Sequence, residues 1–226
     1  MPISGHTVAT DVQGHSSRIR GLYAVTPDWT DVERLSAAVA AALRGGANVV
    51  QVRSKQADAG LRRAIAQAAL EAVRAHDALC LINDDVELAA ALGADGVHLG
   101  ADDGSVSEAR DRLGPRALIG VSCYDDFART GRYPQADYVA FGSVFVSRVK
   151  PDAVRAPLSL FSRARAAGLR TVAIGGISRA NAAQVFAAGA HAVAVISDLF
   201  EAPADEIERR AGEFTALAAS NALPDS

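Results

Sequence analysis

The amino-acid sequence predicts an α/β protein built as a single-domain (β/α)8 barrel, the TIM-barrel fold. Short apolar runs alternate with helical segments eight times over about 200 of the 226 residues. The runs are continuously apolar, as strands of a parallel sheet are when both of their faces are buried. The connections are short, and eight such units favour a closed barrel over a doubly wound open sheet, with no second domain required.

Each of the first four units begins with an apolar strand and continues into a helix. In the first unit, Leu35, Val39 and Leu43 recur every four residues after the run LYAVT, and Gly45 and Gly46 end the helix. The next three units have a valine-rich or leucine-rich run before their helix. The predicted strands are 22–26, 48–53, 78–82 and 96–99, and the helices are 31–44, 61–76, 86–92 and 105–113.

The last four units follow the same order, with one longer loop at residues 143–156. The phrases GGANVVQ, LGADGVHL and AAGAHAVAV indicate a repeated helix-to-strand turn. We expect a flexible N-terminal extension over 1–20, the barrel over 21–218 and a C-terminal tail over 219–226. The predicted strands are 117–122, 137–142, 171–176 and 192–197. The first of the helices starts at about residue 125, and the other three span 158–167, 180–188 and 203–218.

The composition argues against several classes of protein. A net charge of -3 disfavours a general nucleic-acid binder, which usually has a basic face. No apolar run reaches the roughly 18 residues of a membrane-spanning helix, and the polar N-terminus lacks the apolar segment of a secretory signal. Cys80 and Cys123 have no metal-like spacing and are expected to be reduced thiols, which predicts a cytoplasmic protein. No oligomeric state is predicted.

Polar side chains gather at the carboxyl ends of the predicted strands, where barrels of this kind carry their function. In the segment QVRSK, alternation along the strand places Gln51, Arg53 and Lys55 on one side, at the mouth of the barrel. Arginine offers a fork for phosphate oxygens and lysine a compact charge, so the pair predicts an anion site. The alternative is that both are solvated charges, or partners of acids on the next strands.

The acids that follow the third and fourth strands form a second group of candidates. Asp84 and Asp103 end neighbouring strands, which lie about 4.8 Å apart, and two carboxylates this close need a proton or a cation between them. Oxygen ligands with few other protein donors suit Mg²⁺, and Asn83 adds a neutral amide. Helix capping is the alternative role for these acids. It accounts for one acid in each of the two pairs, Asp84–Asp85 and Asp102–Asp103.

Turns in AIGGIS and AVISD follow the seventh and eighth strands, where backbone N–H groups at helix starts form the usual phosphate cradle of such barrels. In the longest loop, Ser147 and Lys150 either close over a ligand or belong to a solvated segment. His98 lies within its strand and is interpreted as a satisfied core histidine. Two anion sites and a metal site predict two phosphorylated reactants, or one reactant with a diphosphate.

These motifs, in this order, resemble the thiamine-phosphate synthase (thiamine-phosphate pyrophosphorylase) family from residue 22 to about 200. The matching segments are LYAVTPD, GGANVVQVRSK, LINDDVELAAALGADGVHLGADD, IGVS, ADYVAFGSVFVSRVK, AIGGIS and AVAVIS. The resemblance implies an enzyme in which a hydroxymethylpyrimidine diphosphate loses pyrophosphate and the nitrogen of a thiazole phosphate attacks the methylene carbon. The product is thiamine phosphate, the implied cofactor is Mg²⁺, and the implied path is a dissociative displacement.

The resemblance also implies a role for each candidate residue. The residues that hold the pyrimidine diphosphate are Gln51, Arg53, Lys55, Asn83, Ser122 and Lys150. Those that hold the thiazole phosphate are Ser147, Gly176, Ile196 and Ser197. Asp84 and Asp103 bind the metal, while Arg53, Lys55 and Lys150 are catalytic because they stabilise the charge on the departing pyrophosphate. No Cys–His or Ser–His arrangement is evident, so no protein nucleophile is expected.

The chain departs from the family pattern at three places, of which the mildest is Ala101 and Asp102 in place of the more usual Gln and Glu. Val149 stands where the family loop has threonine, and one lost bond to a charged phosphate costs roughly 1.5–3 kcal/mol. Cys123 and Tyr124 stand where Thr-His is usual. Two rival functions stay open: a metal-free thiazole tautomerase on the same barrel, and a non-catalytic binder of thiamine intermediates. Asp84 and Asp103 argue against the first rival, which typically lacks them.

Overall fold

The computed structural model describes residues 16–100, 103–146 and 154–221. Eight parallel strands close into a barrel, because each strand pairs with the next and the eighth pairs with the first. The predicted (β/α)8 TIM barrel is therefore confirmed. The strands are β1 Gly21–Val25, β2 Val49–Val52, β3 Leu79–Asn83, β4 Gly96–Leu99, β5 Leu118–Tyr124, β6 Tyr138–Phe141, β7 Thr171–Ile174 and β8 Ala192–Val195.

Helices follow most of the strands and lie on the outside of the barrel. They are α1 Val32–Arg44, α2 Ala59–Arg74, α3 Val86–Leu92, α4 Val106–Leu113, α5 Ser159–Ala166, α6 Ala182–Ala187, α7 Ser197–Phe200 and α8 Ala204–Asn221. The helix expected from about residue 125 is instead the 3₁₀ helix Phe127–Arg132. Pro134 follows closely and lacks the backbone N–H that a continuing α-helix would use. The single turn of α7 was not predicted as a separate helix.

Side-chain caps start the helices that frame the acidic segment. The Asp85 carboxylate accepts the Leu88 N–H at 2.8 Å and begins α3, and Ser105 is the N-cap of α4. In the pair Asp84–Asp85, Asp85 is therefore the acid that caps a helix, and capping was expected to explain one acid of each pair. Asp84 and Asp103 cap neither helix and remain available at the strand ends, whereas Asp102 lies outside the described residues.

Apolar side chains form two separate clusters. The larger cluster lies between the sheet and the helices and includes Leu35, Val39 and Leu43 of α1, the stripe seen in the sequence. The smaller cluster fills the barrel interior and contains Tyr23 and Tyr138 among aliphatic residues. Side chains at alternate strand positions point to opposite sides of the sheet, so the inward positions lead up to the mouth.

Three further observations bear on the expectations from sequence. Within the described parts of the chain, no helix is both long and apolar enough to cross a membrane. Cys80 and Cys123 are buried free thiols, and burial raises the pKa of Cys80 to about 12 and that of Cys123 to about 11. Ile19, in the segment expected to be a flexible extension, is fully buried in the smaller cluster.

A partly buried ion pair ties α4 to the sheet. Arg110 meets Asp137 at 2.7 Å, and the Asp137 side chain, only 7% exposed, also accepts the Ile119 N–H at 2.7 Å. Arg110→Ala is expected to lower the free energy of unfolding by about 2–4 kcal/mol, because it leaves a buried carboxylate unpaired. Arg112→Ala, which breaks an exposed pair with Glu87, is the control and should change stability little. Urea denaturation measures both, and equal losses would contradict this account.

Candidate active site

Most of the predicted site residues line one cavity of about 990 Å³ at the carboxyl ends of the strands. We refer to this cavity as the mouth. Its predicted members are Gln51, Arg53, Asn83, Asp84, Asp103, Ser122, Gly176, Ile196 and Ser197. Residues from distant parts of the chain meet there because all eight strands run parallel and end at the same rim.

Lys55 does not line the mouth with Gln51 and Arg53. It lines a smaller adjoining pocket, which shares Asn83 and Asp84 with the mouth. The strand β2 ends at Val52, so strand alternation cannot be extended as far as Lys55. The Lys55 backbone N–H instead donates to the Asp28 carboxylate at 2.9 Å. The other two predicted ligand residues, Ser147 and Lys150, lie outside the described residues.

The two candidate metal ligands are held by backbone contacts at the strand ends. Asp84 has a φ of 63° and donates its backbone N–H to the His98 carbonyl at 2.9 Å. Its carboxylate accepts a short hydrogen bond from the Asn83 amide. The Asp103 carboxylate accepts the Gly100 N–H at 3.0 Å, which directs it back toward the end of β4.

The acid pair carries more negative charge than its surroundings offset. Burial, followed by the charge of Asp103, raises the pKa of Asp84 to about 6, although Arg53 and the Gly100 N–H act in the opposite direction. Among the described residues, no group of three or more His, Cys, Asp or Glu side chains could hold a metal ion. Two carboxylates alone suit a cation that keeps several of its waters, as Mg²⁺ does.

Arg53 reaches the mouth from a fixed backbone position just after β2. Its N–H donates to the hydroxyl of Thr26 at 2.9 Å, and that hydroxyl donates to the Arg53 carbonyl at 3.3 Å. Thr26 is 1% exposed, so the reciprocal bonds are shielded from water. The Arg53 guanidinium lies close enough to the acid pair for its charge to lower the pKa of Asp84, and its fork can bind phosphate oxygens in the mouth.

The turns after β7 and β8 form the opposite side of the mouth. Gly176 has a φ of 65°, and a Cβ on it would lie 2.4 Å from the Val146 carbonyl oxygen. Asp198 accepts both the backbone N–H of Arg179, at 3.0 Å, and its Nε–H, at 2.9 Å, which ties the two turns together. Sequence reasoning missed Arg179 and Asp198, although both stand within three residues of a predicted cradle residue.

A chain of polar side chains in the barrel interior was also missed. Gln51 bonds Tyr23, which bonds Tyr138, and His98 bonds both Tyr138 and Ser122. His98 is satisfied within the core, as interpreted, and burial lowers its pKa to about 4 against the opposing effect of Asp103. The contact between His98 and Ser122 is a Ser–His pair, which the sequence did not suggest. Its only advance signal was that both residues occupy inward strand positions.

Comparisons with known proteins identify the family of this chain. The family model described as thiamine monophosphate synthase matches residues 22–199. The thiamine-phosphate synthase of Chromobacterium violaceum is 56% identical over 187 residues, which cover 82% of this chain and 90% of that protein. That of Methylobacillus flagellatus is 51% identical over 201 residues, covering 88% and 95%.

A solved structure has the same fold as this chain. Thiamine phosphate pyrophosphorylase from Pyrococcus furiosus superposes with a TM-score of 0.77 at 30% identity, covering 91% of this chain and 98% of that one. The family match spans most of the chain, and the relatives just described are about half identical to it over nearly their whole length. The chain therefore belongs to the thiamine-phosphate synthase family of enzymes.

Proposed function

We propose that this enzyme joins hydroxymethylpyrimidine diphosphate to thiazole phosphate with the help of Mg²⁺, and releases thiamine phosphate and pyrophosphate. One observation carries the proposal: a single mouth holds an acid pair beside an arginine on one side and the turns after β7 and β8 on the other. A diphosphate with its cation suits the first side, and a second phosphate suits the backbone N–H groups of the other. The names of the relatives support the same reaction.

Asp84 and Asp103 would hold the metal ion. The chemistry of the donors fits, since burial and mutual repulsion make two carboxylates favourable for a cation. When bound, Mg²⁺ supplies positive charge that offsets the diphosphate oxygens as the leaving group departs. The Asn83 amide, which donates to the Asp84 carboxylate, keeps that ligand oriented.

The proposed reaction asks the protein for positioning and electrostatics. Arg53 binds the diphosphate oxygens, with Lys55 and Lys150 as further cations, while Gln51 and Ser122 orient the pyrimidine ring. The bond between the methylene carbon and the diphosphate oxygen breaks, and its electrons leave with pyrophosphate. The lone pair of the thiazole nitrogen then forms the new bond to carbon. No proton is transferred in this balance, so no general base is required.

The thiazole phosphate is proposed to bind at the turns after β7 and β8. Gly176, Ile196 and Ser197 would offer backbone N–H groups and a hydroxyl to its oxygens, and Ser147 would add a second hydroxyl. The Asp198 bonds to Arg179 hold the two turns in register, so the cradle is formed before the substrate arrives.

A direct assay tests the proposal. The purified protein is incubated with both substrates, with and without Mg²⁺, and thiamine phosphate and pyrophosphate are measured. Equal amounts of both products, formed only when Mg²⁺ and both substrates are present, are expected. If the protein instead isomerised the thiazole without metal, it would be a thiazole tautomerase. If it bound the substrates but formed no product, it would be a non-catalytic binder.

Gly176→Ala is expected to raise the KM for thiazole phosphate at least about tenfold, because the new methyl group collides with the Val146 carbonyl and displaces the cradle. The KM for the pyrimidine diphosphate should change much less. Gly212→Ala is a matched control in α8, where a Cβ would meet no atom within 4 Å. Steady-state kinetics with each substrate varied in turn measures the effect. Equal changes in both KM values would argue against a separate cradle.

A further inference from the structure

Five polar side chains from five strands form one continuous chain of hydrogen bonds across the interior of the barrel. The contacts run from Gln51 to Tyr23 at 2.9 Å, to Tyr138 at 2.8 Å, to His98 at 3.0 Å and to Ser122 at 3.0 Å. Gln51 and His98 are 5% and 8% exposed, and both tyrosines are 1% exposed. A fully bonded network in such a site fixes its members firmly, because each lost partner would be costly.

The rings are also fixed by packing. Gly120 lies between His98 and Tyr138 in the barrel register, and a Cβ at this position would lie 1.9 Å from Cζ of Tyr138. Glycine on β5 therefore lets the phenol of β6 reach the histidine of β4. The rings of His98 and Tyr138 stack with centroids 5.6 Å apart, and Tyr23 meets Tyr138 edge to face at 6.1 Å.

The contacts allow one continuous direction of donation along the chain. The Gln51 amide donates to the hydroxyl of Tyr23, which leaves the hydrogen of Tyr23 for Tyr138, although either hydroxyl of that pair could be the donor. If Tyr138 then donates to Nδ1 of His98, the proton of the neutral imidazole is on Nε2. In this direction Nε2–H donates to Oγ of Ser122, and the hydrogen of that hydroxyl remains for a group in the mouth. His98 would then be a donor to Ser122 and not its base.

We propose that Tyr23, Tyr138 and His98 are positioning residues that give the mouth a fixed acceptor at Gln51 and a fixed donor at Ser122. This inference rests on the proposed function and specifies how the pyrimidine ring is read. With its nitrogen committed to Tyr23, Gln51 offers its carbonyl oxygen to the ring, while Ser122 offers its hydrogen. An aminopyrimidine presents an amino donor and ring-nitrogen acceptors, which complement this pair. An analogue with a carbonyl in place of the amino group would set acceptor against acceptor.

The first test needs no substrate. In protein labelled with ¹⁵N at histidine, the His98 resonances, identified by their loss in His98→Gln, should show a protonated Nε2 and a bare Nδ1. Tyr138→Phe removes the donor to Nδ1 and should shift His98 toward a mixture of tautomers. A wild-type His98 with its proton on Nδ1 would overturn the proposed direction.

The second test is kinetic. Tyr138→Phe keeps the ring and is expected to raise the KM for the pyrimidine diphosphate roughly tenfold, while kcat changes by less than about threefold. The ratio of kcat/KM for the aminopyrimidine substrate to kcat/KM for its carbonyl analogue should fall. Adding Tyr138→Phe to Ser122→Ala should cause a much smaller loss than Tyr138→Phe causes alone, since Tyr138 acts on the substrate largely through Ser122. Thr171→Val is the control: it removes another buried hydroxyl, which bonds His191 on the outer side of β7, and it should leave both constants unchanged.

The outcomes separate this inference from the proposed function. If the wild-type protein forms no thiamine phosphate, the proposed function is wrong, and the tautomer of His98 still decides whether the directed chain exists. If the wild-type protein is active but the losses from Tyr138→Phe and Ser122→Ala multiply, the positioning role is wrong and the function stands. Unchanged analogue preference in Tyr138→Phe would also overturn it.

Discussion

Asp84→Asn is expected to reduce turnover by at least about 100-fold, because the cation that offsets the departing pyrophosphate loses an anionic ligand. The fold should survive the change. Asp84 has a φ of 63°, and asparagine is one of the residues that tolerates this conformation best. The new side chain keeps an oxygen that can accept the hydrogen bond from Asn83.

The same substitution is expected to stabilise the metal-free protein at neutral pH. The pKa of Asp84 is raised from 3.8 to about 6, so the folded protein holds this proton more tightly than the unfolded chain does. The contribution of Asp84 to stability is therefore most favourable below about pH 4 and is lost as the pH rises through about 6. Asparagine is neutral throughout, so it should raise the Tm by about 2–4 °C at neutral pH and by little at acid pH.

Thermal unfolding with a chelator, at acid and neutral pH, measures this effect beside the rate assay. Added Mg²⁺ should raise the Tm of the wild-type protein and not that of the variant. Asp85→Asn is the matched control, since it removes the same charge one residue along. Asp85 caps α3, and asparagine caps a helix equally well, so activity should stay near wild type. Wild-type rates in Asp84→Asn, or equal losses in both variants, would refute the metal assignment.

Arg53→Met is expected to lower kcat/KM for the pyrimidine diphosphate by about 100-fold to 1000-fold, because a charge-stabilising fork is removed and the length of the side chain is kept. The Mg²⁺ requirement should not rise. Arg53 is not a metal ligand, and its charge helps to lower the pKa of Asp84. Its loss therefore leaves the acid pair at least as favourable for a cation. Titrations of activity with each substrate and with Mg²⁺ separate these effects.

Arg53→Lys provides the graded comparison. Lysine keeps the charge and loses the planar fork, so an intermediate loss of about tenfold is expected. If lysine and methionine reduced kcat/KM equally, the fork and not the charge would be the essential feature. If either variant changed the KM for thiazole phosphate alone, Arg53 would have to be reassigned to the other side of the mouth.

Much of the architecture could be predicted because its signals are local. Both β4 and α3 begin and end at the predicted residues, and the α1 stripe of Leu35, Val39 and Leu43 is buried as expected. The strand ends then place Asp84 and Asp103 at the mouth by topology alone. Capping also worked locally, since Asp85 and its bond to Leu88 lie within three residues.

The remainder depends on contacts that no local pattern encodes. Tyr23 and Tyr138 are 115 residues apart in the chain, and their hydroxyls bond only because the barrel closes. In the sequence, both tyrosines look like ordinary residues of apolar runs. Lys55 lines the adjoining pocket and not the mouth itself, because β2 ends at Val52 and its alternation does not extend to residue 55. For Ser147 and Lys150, outside the described residues, the assignments remain predictions.

The separation between the two apolar clusters has a consequence for how such sequences can diverge. Most buried side chains lie between the sheet and the helices, and that layer contains neither Tyr23 nor Tyr138. Substitutions at the inward positions of the strands leave the packing of the outer layer unchanged, but the hydrogen-bonded side chains among them must be exchanged as a set. A lineage would therefore acquire a new heterocycle preference by changing several of these bonded side chains together. Libraries that vary the bonded inward positions jointly should retain a larger share of expressible variants than libraries that vary them one at a time.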